Sequence, residues 1–199
     1  AKEKIDNQLL KAIYANSPVD RFHPLRIIQA LKSLIGINID NPSEQLIFWG
    51  SDYLEQIESL PANYFKYPIS TIDETIVLSK LGEQILFKNK NSCMSELQNL
   101  CSVSDGNQIF EYLLEFSSIN NICAMPFIWS AYKTNLFLKN KYSYNLLLLS
   151  IDMLIKNKLN QKGLMSNIEK SCIIESVRNS ALTRQNRINI QLDYCKTDF

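Results

Sequence analysis

"NSPVDRFHPLRI", residues 16–27, holds the only histidine of the 199-residue chain, set between Phe22 and Pro24. The two prolines decide how the chain is cut into helices. A proline pushes the residue before it into extended backbone, so neither Ser17 nor His23 belongs inside a helix. Upstream, Ile5, Leu9, Leu10, Ile13 and Tyr14 recur at helical spacing and predict a first helix that stops before Pro18. Downstream, Leu25, Ile28, Leu31, Leu34 and Ile35 predict a second, closed by Gly36. Pro24 suits its first position, where the missing N–H costs nothing. The segment is thus a rigid corner between two helices, with Phe22 expected to plug the core. A neutral His23 imidazole can both donate to and accept from the loop backbone there. Arg26 falls in the first helical turn, where its charge opposes the helix dipole, and is expected to serve a partner carboxylate. A single imidazole also invites a catalytic reading. No acid or nucleophile can be assigned to it, and the structural corner is the stronger reading.

Helix signals continue along the chain. "NPSEQLIFWGSDYLEQIESLP", residues 41–61, opens with Asn41 as a cap, Pro42 at the first helical position and Glu44 completing a capping box. Its apolar face uses Leu46, Ile47, Trp49 or Gly50, Tyr53, Leu54 and Ile57. A Thr71/Glu74 box predicts a helix to about Phe87, followed by a polar linker, "KNKNS". Shorter helices are expected over 93–101 and 107–119, then an aromatic-rich stretch at 126–138. "YSYNLLLLSIDMLIKNKL" gives another strong helix, and a Ser166/Glu169 box starts a long one through Ile173, Val177 and Ala181. In "INIQLDY", Ile188, Ile190, Leu192 and Tyr194 alternate with polar residues, which is strand periodicity without a second strand to pair with. Either the last helix overrides that pattern or the tail is extended and docks elsewhere. The expectation is an all-α fold: one compact helical domain of about seven to nine helices over 1–187, then a tail, 188–199, read as irregular or extended.

Composition fits that class. Apolar residues make up 46% and charged residues 21%, and only five glycines and six prolines occur, too few for a many-turned β fold. A chain of this length buries roughly 70% of its unfolded surface, enough to hold a core without metal or disulfide. The five cysteines, an odd number without a C-x-x-C pair, read as free buried thiols in a reducing compartment. "AKEKIDNQLLKAIY" is too charged for a signal peptide. "YSYNLLLLSIDMLI" is too short and too interrupted to span a membrane. The chain reads as soluble and cytoplasmic. Net charge is +1, but residues 1–132 carry ten Lys/Arg against fifteen Asp/Glu, and residues 133–199 eleven against five. That asymmetry orients a protein toward charged partners, yet falls short of the dense basic stripe of a nucleic-acid binder.

No catalytic motif stands out. There is no nucleophile elbow, P-loop, dinucleotide fingerprint or zinc helix, and no Glu-x-x-His pair for a di-iron bundle. No catalytic, cofactor or metal residues are assigned. Asp73/Glu74 and Glu55/Glu58 are expected on solvated helix faces. "NYFKY" and "FIWSAY" are expected to pack in the core.

The pattern Pro18-x-x-x-Phe22-His23-Pro24-x-Arg26-Ile27 resembles the N-terminal signature of the SctK family, cytosolic adaptors in the sorting platform of bacterial type III secretion systems. Trp49 in its helix, then Leu60, Pro61 and Tyr64, are similar to a tryptophan-containing helix that leads into Leu-Pro and an aromatic in that family. The quotable resemblance covers residues 13–65, with a leucine-rich helix near 146–155 as a further counterpart. It implies a mostly α-helical, non-enzymatic adaptor without cofactors. Such a protein links the cytoplasmic domain of the inner-membrane ring protein to the pod, or C-ring-like, protein. Through that platform it meets the ATPase stator and the export ATPase, at the cytosolic face of the inner membrane. Pro18, Phe22, His23, Pro24 and Arg26 carry over only as signature positions that shape the corner. The aromatic stretch 126–132 and the basic C-terminal third are the expected interaction faces, rather than nucleic acid or membrane insertion. Two other classes suit the same features. One is a small helical immunity or antitoxin protein with a single toxin partner; the other is a helical ligand-binding protein with a deep apolar pocket.

Overall fold

The computed structural model describes residues 2–61, 64–65 and 77–156. Eight α-helices lie among them: α1 (Lys2–Ile13), α2 (Pro24–Ile35), α3 (Glu44–Glu55), α4 (Leu78–Leu86), α5 (Lys90–Val103), α6 (Asn107–Asn120), α7 (Met125–Phe137) and α8 (Ser143–Lys156). The all-α expectation is met, and among the described residues no strand occurs. The expected helix from Ser166 and the tail 188–199 lie outside the described residues.

A helix that is apolar all round needs neighbours on every side. "NLLLLSIDML" is such a sequence, and α8 is accordingly the hub, with Leu146 through Leu154 all buried. Helices α4, α5, α6 and α7 pack around it. Each leucine sealed there contributes roughly 1.5–3 kcal/mol relative to exposure. On the outer side α2 lies along α7, α1 along α2, and α3 against both α1 and α2. Edge-to-face packing of His23 on Phe127, the Gln29–Thr134 contact and Lys32 over the Phe137 ring follow one another in register. Helices α2 and α7 therefore run side by side in the same direction.

Close approach of α1 and α3 depends on Gly50. A Cβ at that position would stand 2.5 Å from Leu31 Cδ2 and 3.1 Å from Gln8 Oε1. The buried Gln8 amide uses the space to donate to the Ile47 carbonyl at 2.6 Å and to Ser51 Oγ at 2.9 Å. An isolated antiparallel bridge, Ala15 to Ser59, clasps the end of α1 to the chain leaving α3. Asn16 N–H donates to Glu58 O at 2.7 Å, and Leu60 N–H to Tyr14 O at 2.6 Å.

Element ends depart from expectation in three places. Helix α3 is capped by Ser43, whose hydroxyl accepts from Leu46 N–H, and not by Asn41; Asn41 N–H instead donates to the Asn38 side chain in the preceding turn. Helix α4 starts after an extended Val77, as suits a β-branched residue, while the Thr71/Glu74 box lies outside the described residues. Gly36 follows α2 with right-handed backbone, so it closes the helix without the left-handed turn that favours glycine. That turn occurs instead at Gly106, φ +90°, before α6, where a Cβ would stand 2.9 Å from Ser143 Cβ.

Candidate functional site

Helix α1 ends at Ile13, and Pro18 follows in the exposed chain beyond it. Val19 turns into the core at 5% exposure. Asp20 then organises the turn: its side chain accepts from Phe22 N–H at 2.7 Å and its carbonyl from His23 N–H at 3.2 Å. His23 is extended, as a residue before proline must be, and caps α2, its Nδ1 accepting from Leu25 N–H at 3.2 Å. Pro24 opens the helix, and Arg26 N–H completes the turn on His23 O at 3.0 Å.

His23 is fully buried. Burial lowers its pKa to about 4, with Asp20 pulling it back up and Lys156 pushing it further down. With Nδ1 accepting, the neutral ring carries its proton on Nε2, which is buried without a hydrogen-bond partner. The ring stands edge-to-face on Phe127, centroids 5.4 Å apart. The imidazole therefore accepts from the backbone but does not donate to it.

Two sequence expectations at the corner are corrected. Phe22 does not plug the core: it is 64% exposed, with the Arg21 guanidinium over its ring at 4.7 Å. Val19 and the His23 ring fill the inward positions because the Asp20 turn directs residue 22 outward. Arg26 does not serve a carboxylate; its Nη1 donates to the Arg21 carbonyl at 3.0 Å. Pro18, Arg21 and Phe22 form the outer surface of the corner, while His23 and Pro24 hold it from within.

A second polar cluster escaped sequence reasoning. Asp152 on α8 is 1% exposed and sits 2.8 Å from Lys90 Nζ, with Tyr64 Oη donating to its Oδ2 at 3.1 Å. In the sequence Asp152 reads as an interruption of an apolar run, and Lys90 as linker. Cys93 lies close by; burial first, then the Asp152 charge, pushes its thiol up to about 12. Burial pushes Cys101 up to about 12 as well. Both stay protonated near neutral pH and are poor nucleophiles. Cys123 is exposed and free, unlike the buried thiols expected.

Among the described residues no group of three or more His, Cys, Asp and Glu could hold a metal ion. None of their helices is long and apolar enough to cross a membrane. An open groove of about 390 Å³ between α1 and α3 is edged by Lys4, Lys11, Asp52 and Glu55 beside Phe48. The stretch 126–132 is divided between two environments. Phe127, Ile128, Ser130 and Ala131 are buried, whereas Trp129 is 44% exposed and Tyr132 half-buried. No family model, curated protein or solved structure matches this chain.

Proposed function

We propose that this chain is a non-enzymatic helical adaptor of a type III secretion sorting platform. In that role it joins the pod protein to the cytoplasmic domain of the inner-membrane ring protein, and acts in the cytoplasm. The observation that carries the reading is the division of labour at the "RFHPLRI" corner. His23 and Pro24 are consumed in fixing the start of α2, and Phe22 and Arg21 are left projecting from a rigid support. An exposed aromatic with a cation on its face is what a protein-docking anchor requires. The buried, neutral imidazole offers nothing to a reaction in solvent.

The test is a mild pull-down of the tagged protein from its native cells, with mass-spectrometric identification of what co-purifies. Pod protein, ring protein and ATPase stator are the expected recoveries. A single small toxin-like partner in their place would transfer the chain to the immunity class.

A further inference from the structure

Helices α2 and α7 run side by side, and neither contains an aspartate or glutamate. They contribute Arg26, Lys32 and Lys133 to the surface. Lys32 Nζ stands 4.4 Å from the centroid of the Phe137 ring, and Lys133 Nζ 5.2 Å from that of Trp129. Neither of these ammonium groups forms an ion pair with a carboxylate among the described residues. Burial first, and the Lys133 charge second, hold the Lys32 pKa below the usual lysine value; no acid offsets them. The carboxylates that reach α7, Glu111 and Asp105, act on Tyr132, on the flank toward α6. Beside the cations, Trp129 and Leu136 lie two turns apart on α7, each 44% exposed.

We propose that this α2–α7 face is a docking surface for an acidic amphipathic segment of a partner protein. Apolar residues of that segment cover Trp129 and Leu136, and its carboxylates reach Lys32 and Lys133. Charge complementarity selects this occupant. Ammonium groups on one face without an acidic neighbour favour an acidic occupant, whose carboxylates can pair with each while leaving both cation–π contacts in place. Three cations are too few for nucleic acid, and below the roughly 4–8 clustered Lys/Arg of an anionic-lipid site. The biological role of the face rests on the adaptor reading above; its chemistry does not.

The experiment is selection of a random-peptide display library on the full chain. Enriched peptides are then synthesised and titrated against wild type, Lys32→Glu, Lys133→Glu and the control Lys2→Glu. Circular dichroism checks that each variant is folded, and Lys32→Gln and Lys133→Gln replace any reversal that is not. Acidic peptides with apolar residues at helical spacing are expected, weakened about tenfold or more by either reversal and unchanged by the control. Absence of enrichment, or peptides that lack acids or ignore the reversals, would overturn the proposal. Co-sedimentation with phosphatidylserine vesicles, or self-association at sedimentation equilibrium, that vanishes in Lys133→Glu would also overturn it, in favour of lipid or a second copy. Failure of the native pull-down with success here would sink the secretion reading alone, and the reverse would sink only this face.

Discussion

Lys90 Nζ lies 2.8 Å from Asp152 Oδ1, joining a side chain 43% exposed on α5 to a carboxylate 2% exposed on the central helix α8. Because the two partners differ so much in exposure, removing one is not equivalent to removing the other. Taking away the lysine strands a buried charge, whereas Asp152→Asn removes the charge itself.

Lys90→Met is expected to lower unfolding stability by about 2 kcal/mol, below the 3–5 typical of fully buried pairs because the ammonium is half in water. Asp152→Asn in the same background should restore part of that loss, as read in paired urea titrations. Additive losses would contradict a charged Asp152. Burial pulls the Lys90 pKa down, but its bond to Asp152 and that carboxylate's charge outweigh this and raise it. The contribution is therefore full below the unfolded lysine pKa near 10.4 and fades as pH climbs through the higher folded value.

His23 gives the opposite slope. Its folded pKa, about 4, lies below the unfolded value of 6.5, so between those limits the unfolded chain binds a proton that the folded one refuses. Stability is unaffected above pH 6.5 and declines below it, by roughly 3 kcal/mol in all by pH 4. His23→Asn keeps a capping side chain without a titrating ring, and should remove that part of the slope in urea midpoints between pH 7.5 and 4.5. An unchanged slope would place the titration elsewhere.

At Gly50, helix propensity and packing disagree. Alanine would gain about 1 kcal/mol of propensity, but its methyl group meets Leu31 and the hydrogen-bonded Gln8 amide. Overpacking of this kind costs about 1–3 kcal/mol, so Gly50→Ala is expected to lower the melting temperature by several degrees. A rise would show that α1 and α3 separate freely.

Phe22→Ser should leave stability within about 0.5 kcal/mol, because the ring is mostly in water. It should nevertheless reduce recovery of the partner in the native pull-down. A large loss of melting temperature would instead return Phe22 to the core.

Thiol labelling at pH 8 is expected to mark Cys123 before Cys93 or Cys101, by peptide mass spectrometry, since of the three thiols among the described residues Cys123 alone is exposed and burial pushes the other two up to about 12. Early labelling of Cys93 would mean that α5 opens away from α8.

Periodicity made the helices legible because a 3.6-residue repeat states which residues share a face. It does not state what covers that face. Leu34 belongs to the same apolar pattern as Leu31 and Ile35, yet it is 55% exposed. Capping was legible as chemistry but not as position: Ser43 and Asn41 are both good caps, and only the extended backbone of Ser43, with its hydroxyl on Leu46 N–H, selects between them. The corner's outline followed from Pro18 and Pro24, while the outward turn of Phe22 depends on one bond, from its N–H to Asp20. The Lys90–Asp152 pair spans 62 residues of sequence and the Tyr64–Asp152 bond 88, separations at which no local pattern reports a contact. The α2–α7 face was half visible, as an aromatic run in 126–132. Lys32 joins it only through the parallel packing of two helices distant in sequence.

The clasp between Tyr14–Asn16 and Glu58–Leu60 has a consequence for synthesis on the ribosome. Helix α1 leaves the exit tunnel before the residues that fasten it, and at about 5–20 residues per second the delay is on the order of seconds. During that interval its apolar stripe, Ile5, Leu9 and Ile13, has no α3 to rest on. The segment translated earlier than its fastening thus depends, in the growing chain, on whatever shields it until Leu60 emerges.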